Sequence, residues 1–231
     1  MSKYLAFIWA DGMPSADELA VMQRELPRWS DEVERRGVPR FGRELDLPAT
    51  AAAVRVRDGE TLVSDGPFAE TKEFIAGFDL YDCADRDQAI DVAATCPVSW
   101  FAAIEVRPYT GGPLSGQAAA FGRGEDGTGQ PYLLVVWTDA MLDAAEAWRR
   151  DAAARGLYLM GSTLGAADAV TTVRVRDEKR LLSKGPMAPA GAFIAAIEVV
   201  SCTSREQVIQ LAAAHPAAGQ HAIEVRPFWS E

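Results

Sequence analysis

Val54-Arg55-Val56-Arg57-Asp58 and, 119 residues further on, Val173-Arg174-Val175-Arg176-Asp177 open two blocks that run in step without a gap to Ile104-Glu105-Val106-Arg107-Pro108 and Ile223-Glu224-Val225-Arg226-Pro227. Between these ends the blocks share Ser64/Ser183, Gly66-Pro67/Gly185-Pro186, Phe74-Ile75-Ala76/Phe193-Ile194-Ala195, Cys83/Cys202 and Pro97/Pro216. A period of this length suits two compact domains rather than a solenoid of short repeats. The blocks diverge where polar chemistry could sit. Asp65-Gly66-Pro67-Phe68-Ala69-Glu70-Thr71-Lys72-Glu73 in the first stands against Lys184-Gly185-Pro186-Met187-Ala188-Pro189-Ala190-Gly191-Ala192 in the second.

Working outward, Tyr4–Trp9 and Tyr132–Trp137 are short apolar runs that read as buried strands. A helix is predicted from Ser15, with Glu18 completing a capping box and Leu19, Met22, Leu26, Trp29 and Val33 on one face. Gly37 and Pro39 end it, and Pro27 within it should kink or split it. The second block covers the same ground from Asp139 to Gly156. Ala53–Arg57, the turn pair Asp58-Gly59 and Thr61–Val63 predict a β-hairpin. A strand over Phe74–Tyr81 follows, then a helix capped by Asp85 with Gln88, or by Ser204 with Gln207, and a closing strand over Phe101–Arg107 or Ala222–Arg226.

This order of elements is that of the split βαβ, ferredoxin-like unit, an antiparallel sheet with helices on one face. Large apolar residues on both sides of the Phe74–Tyr81 strand predict that the free sheet face is also buried, most simply against the sheet of the other block. The expected fold class is therefore α+β, with two ferredoxin-like domains pairing as an intrachain dimeric α+β barrel. The expected domains are residues 1–109 and 131–231, joined by a linker over 110–130 that carries seven glycines.

Composition narrows the function. A net charge of −10 on 231 residues disfavours nucleic acid and an anionic membrane surface. No apolar run approaches a membrane span and the N-terminus shows no basic region followed by a long apolar stretch and cleavage site, so the expected location is the cytoplasm. Three cysteines, two at equivalent positions, fit buried thiols in a reducing compartment.

Taken together, the Asp65–Glu73 stretch, Cys96-Pro97 and Ile104-Glu105-Val106-Arg107-Pro108 closely resemble the YCII-related family in its DGPF-domain branch. The resemblance covers residues 1–108 and, more weakly, 131–227. It implies the ferredoxin-like dimeric barrel and, for many relatives, an association with genes for extracytoplasmic-function sigma factors. Some YCII relatives are proposed to use a His and Asp pair on a cleft wall. The first block has no histidine, and Trp29 lies in the helical region where those relatives carry theirs, so the dyad does not transfer.

Asp65, Glu70, Lys72 and Glu73 are the leading ligand-binding candidates, since a carboxylate beside a Gly-Pro turn with a nearby ammonium can hold a polar ligand. The alternative is that Asp65 bonds its own turn and the others are solvated. Arg55 and Arg57, repeated as Arg174 and Arg176, either bind an anion or pair with Glu105 and Glu224 on neighbouring strands. Trp29 and Phe68 either line a pocket or pack in the core. His215 and His221 lack the further ligands a metal would need, so neither metal nor cofactor is expected. His215, which replaces Cys96, serves as an acid or base or as a helix-end cap, and Cys96 has no base in its own block. The expected function is binding of a small polar or aromatic molecule in the cleft of the first block, through Asp65 above all, with turnover an open question. The alternative is a regulatory partner of a sigma factor.

Overall fold

The computed structural model describes residues 2–68, 72–111, 129–138, 145–165, 167–187 and 193–230. Glu70, most of the glycine-rich linker and the segment 139–144 lie outside these residues. The chain forms two compact units, each with one antiparallel six-stranded sheet.

The first unit comprises Met1–Glu44, Thr71–Tyr109 and Gly165–Met187. It contains β1 (Ser2–Ala10), α1 (Ala16–Arg35), β2 (Arg40–Glu44), β5 (Phe74–Cys83), α2 (Arg86–Thr95), β6 (Ala103–Tyr109), β9 (Thr171–Arg176) and β10 (Lys179–Lys184). The sheet order is β10-β9-β6-β1-β5-β2. Its last four strands, with α1 and α2 on one face, have the ferredoxin-like arrangement. Tyr4, Ala6, Ile104, Val106 and Val173 on that face bury Trp29 and Val33 of α1 and Ala89 and Val92 of α2.

The second unit comprises Leu45–Glu70, Thr110–Leu164 and Ala188–Glu231. It contains β3 (Ala52–Arg57), β4 (Glu60–Asp65), β7 (Gln130–Thr138), α3 (Glu146–Ala154), β8 (Tyr158–Thr163), β11 (Phe193–Cys202), α4 (Arg205–Ala213) and β12 (Ala222–Pro227). The sheet order is β4-β3-β12-β7-β11-β8. Trp148 and Ala152 of α3 and Val208 and Leu211 of α4 pack on Leu134, Val136, Ile223 and Val54.

Each unit therefore contains a hairpin from the other half of the sequence. β3–β4 joins the second sheet through Val54↔Ile223, and β9–β10 joins the first through Val173↔Ile104. The compact units and the sequence blocks are different divisions of the chain. Both hairpins turn through two residues of positive φ, Asp58 and Gly59 in one and Asp177 and Glu178 in the other. That is the turn whose twist matches antiparallel strands.

Local chemistry explains the helix ends. Ser15 Oγ accepts from the Glu18 amide and Glu18 accepts from the Ser15 amide, closing the expected capping box. At the far end Gly37, at φ +70, lets its amide reach Glu34 and the Val38 amide reach Val33, and Gly156 does the same in α3. Of the expected kink or split at Pro27, the split does not occur, since α1 is a single helix with Pro27 inside it. The buried Trp29 and Val33 beyond the proline hold the second half of the helix to the sheet. The strand β2 was not foreseen from the sequence. Its Arg-Phe-Gly-Arg-Glu run lacks clean alternation, and only its pairing with β5 makes it a strand.

Candidate functional site

The turn after β4 carries the stretch that the sequence singles out. Gly66 takes φ +93, a left-handed value that favours glycine, and its amide donates to Ala51. Gly185 takes φ +95 and donates to Val170. This bend returns the backbone over the sheet of its own unit. The Phe68 amide then donates to Glu224 Oε2 at 3.1 Å, and the Met187 amide to Glu105 Oε2 at 2.6 Å. The Gly-Pro pair shared by the two blocks thus positions an amide that caps a buried carboxylate.

Those carboxylates arise from strand alternation. In β12, Ile223 and Val225 join the core beneath the helices, which turns Glu224 and Arg226 to the opposite face. That face is buried as well, leaving Glu224 and Arg226 almost wholly excluded from solvent, as are Glu105 and Arg107 of β6. Such charges need partners. Arg226 pairs with Glu224 Oε1 at 3.2 Å and donates to the Asp46 carbonyl at 2.8 Å. The Trp137 indole N–H donates to Glu224 Oε2 at 3.0 Å. Arg107 pairs with Glu105 at 2.9 Å. Burial pushes the Glu105 carboxyl up against the pull of Arg107, and pushes the Arg107 and Arg226 guanidinium groups down against their carboxylate partners. The expected pairing of Glu105 and Glu224 with the arginines of the hairpins is thereby corrected. Their ion-pair partners are Arg107 and Arg226, two residues along the same strands.

Above Glu224 the Phe68 ring lies 5.7 Å from the Trp137 ring, between centroids. The Arg55 guanidinium carbon sits 5.0 Å from the Phe68 ring centroid, within cation–π range. The matching position in the first unit differs. Arg174 is held by Glu73 at 3.1 Å and donates to Met187 Sδ at 3.2 Å. The residue matching Glu73 in the second block is Ala192. Among the described residues Arg55 has its ring contact and no ion pair.

The other predicted residues separate. Asp65 belongs to the second unit, but its side chain is 85% exposed and pairs with Arg205 at 2.6 Å on the surface. Arg57 is exposed, and its counterpart Arg176 donates to the carbonyls of Ser99, Trp100 and Phe101. Lys72 is exposed in the first unit, where Glu73 also lies. Trp29 is in the first unit too, buried in the helical layer with its indole N–H shared between the Val92 carbonyl and Thr95 Oγ1, both at 3.3 Å. It is a packing anchor, as is Trp148, which donates to the Leu211 carbonyl at 3.0 Å. Asp65, Phe68, Arg55 and Arg57 share one unit, and only Phe68 and Arg55 meet in the arrangement around Glu224.

Sequence reasoning passed over a second pair of buried carboxylates. Asp79 on β5 pairs with Arg40 at 2.5 Å, and Glu198 at the matching position on β11 takes two contacts from Arg149 Nε at 3.0 and 3.1 Å. A carboxylate flanked on both sides by large apolar residues, Phe78 and Leu80 or Ile197 and Val199, is the signal that could have found them. Opposite them stand Gly42 and Gly161, where a Cβ would fall on the carboxylate. In the second unit His215 Nε2 is 3.9 Å from Glu198, and the imidazole packs edge-on against Trp148 at 4.8 Å. His215 Nδ1 accepts from the Ala217 amide at 3.2 Å, so it caps a 3₁₀ turn through an N–H rather than through carbonyls. Burial pushes the Cys96 thiol up to about 12, which removes the thiolate a nucleophile would need. His221 Nε2 lies 3.1 Å from Thr138 Oγ1. Among the described residues no three His, Cys, Asp or Glu side chains cluster as metal ligands do, and no helix is long and apolar enough to cross a membrane.

An uncharacterized protein of Rhizobium meliloti (strain 1021) is 60% identical over 48 residues, which are 20% of this chain and 39% of the relative. The chain thus spans about two fifths of the length of that curated relative. The family model of the YCII-related domain matches residues 5–111, from within β1 to just beyond β6, where β1, β5 and β6 form an antiparallel core beneath α1 and α2.

Proposed function

We propose that the chain is a two-copy YCII-related protein of the DGPF branch that binds a small anion bearing a planar or aromatic group beside Arg55, Phe68 and Trp137 of the second unit. The observation that carries this reading is the contrast between two equivalent arginines: Arg174 has Glu73 as its counter-charge, while Arg55 rests on an aromatic ring. A guanidinium over a ring can donate to a carboxylate in its plane while the ring stacks on the ligand. Glu224 completes the floor. Its Oε2 already accepts two N–H groups and its Oε1 accepts from Arg226, so it orients Phe68 and Trp137. The reading is thus one of binding rather than turnover. The intrachain α+β barrel belongs to the same proposal, supported by burial of both faces of β1 and β7.

The test is calorimetric titration of the whole protein with benzoate and, separately, with inorganic phosphate. Benzoate should bind at one site per chain, with affinity reduced at least tenfold in Arg55→Ala and partly retained in Arg55→Lys. Phosphate should bind more weakly, because it has no ring to stack. Equal benzoate affinity in wild type and a folded Arg55→Ala would reject the site, as would the absence of binding to wild type.

A further inference from the structure

Among the described residues each sheet ends in a strand paired on one side only, β4 at one edge of the second sheet and β10 at one edge of the first. Both strands are exposed along their whole length. Edge strands of this kind are ready to pair with another chain unless something blocks them. Their sequences are Glu60-Thr61-Leu62-Val63-Ser64-Asp65 and Lys179-Arg180-Leu181-Leu182-Ser183-Lys184. Each has two large apolar residues at its centre, and these are among the most exposed of the chain: Leu62 46%, Val63 44%, Leu181 50% and Leu182 53%. The ends of one strand are acidic and those of the other basic.

We infer that β4 of one molecule pairs with β10 of a second copy of this chain, in a head-to-tail contact that extends the sheet between molecules. Set side by side, the two strands match in either direction. Run antiparallel, Glu60 meets Lys184, Asp65 meets Lys179, Leu62 meets Leu182 and Val63 meets Leu181. Run parallel, Glu60 meets Lys179, Asp65 meets Lys184, Leu62 meets Leu181 and Val63 meets Leu182. The same charges forbid the like-with-like pairings: two β4 strands would set acid beside acid, and two β10 strands base beside base. Opposite charges facing across strands favour a pairing and like charges oppose it, so the ends select the partner while the apolar centres supply burial. The surface pairs of Asp65 with Arg205 and of Arg180 with Asp91 lie within their own units and are solvent-exposed, so they are exchanged at little cost. Because the contact joins two different surfaces, each added molecule leaves one acidic and one basic edge unpaired. The assembly is a ring if the rotation closes and an open chain if it does not.

Sedimentation velocity of the intact protein, across a range of concentrations and at low and high salt, tests this. The weight-average mass should at least double with concentration at low salt and fall back towards the monomer at high salt, as screening removes the end pairs. Two variants separate the contact from misfolding: Glu60→Lys with Asp65→Lys makes both edges basic, and Lys179→Glu with Lys184→Glu makes both edges acidic at their ends. Each alone should remain monomeric with the wild-type circular dichroism, and mixing them should restore the large species, since each then supplies the edge the other lacks. A wild-type protein monomeric at every concentration, or variants that assemble singly as wild type does, would overturn the inference.

Discussion

Arg174 lies 3.1 Å from the carboxylate of Glu73, the residue whose place in the second block is taken by Ala192. The pair is partly exposed, with 30% of the arginine and 42% of the glutamate side chain accessible, so it contributes at most about 1 kcal/mol to stability. Its consequence is electrostatic, because it gives Arg174 a counter-charge in the first unit, whereas among the described residues Arg55 has none in the second. Glu73→Gln should leave the unfolding midpoint nearly unchanged. It should also give the titration with benzoate a second, weaker binding event. An unchanged single-site isotherm would show that Glu73 does not mask Arg174.

The buried pair of Glu224 and Arg226 should behave differently. Removing one partner leaves a charge without compensation in a site closed to water, whereas replacing both with apolar groups removes the desolvation cost as well. Arg226→Ala should therefore destabilise the protein by about 3–5 kcal/mol in urea unfolding. Glu224→Leu combined with Arg226→Met should lose less than the single change. If the double variant is the weaker of the two, the pair is worth more than its burial costs.

How much of this the sequence discloses depends on what kind of pattern each feature leaves. The first helix is legible because Ser15 with Glu18, Trp29 and Val33, and Gly37 are local signals that act within a turn or two. The hairpin exchange leaves no such mark. Val54-Arg55-Val56-Arg57 and Val173-Arg174-Val175-Arg176 have the same alternation, which specifies the buried face of each strand but not which sheet receives it. Arg55 is legible as a candidate because it recurs as Arg174 on a strand of matching alternation, and Phe68 because the two blocks differ around it. Asp65 drew attention for the same reason, yet its position at the end of an edge strand leaves it in solvent. Glu224 and Arg226 read as an outward-facing polar pair by alternation alone, and only burial of the second sheet face converts them into an internal ion pair.

Gly161 stands opposite Glu198 in the β8–β11 ladder, as Gly42 stands opposite Asp79 between β2 and β5. The carboxylates occupy the space where a side chain would project, and Arg149 holds Glu198 there. Gly161→Ala should cost about 1–3 kcal/mol, the range typical of forcing a methyl group into a filled interior. Gly161→Ala combined with Glu198→Ala should recover part of that loss, because the second change removes the carboxylate and leaves the Ile197 carbonyl, at 2.5 Å, as the remaining obstacle. A fully additive pair in denaturant melts would mean that the two residues do not compete.

The three thiols give a prediction with a pH sign. Burial pushes Cys96 up to about 12, and Cys83 and Cys202 up to about 11, from an ordinary value of 9.0. A thiol that is harder to deprotonate when folded keeps its full contribution to stability below the ordinary value, and loses it as the pH rises towards the folded value. Stability should therefore fall above pH 9.0, as the unfolded chain releases protons that the native state retains. Alkylation with iodoacetamide at mildly alkaline pH should leave all three cysteines intact in the native protein, since the thiolate is the reacting species. In denaturant all three should react, which mass spectrometry would read directly. Modification of Cys96 in the native protein at the rate of an unfolded thiol would place that side chain within reach of solvent and reopen its role as a nucleophile.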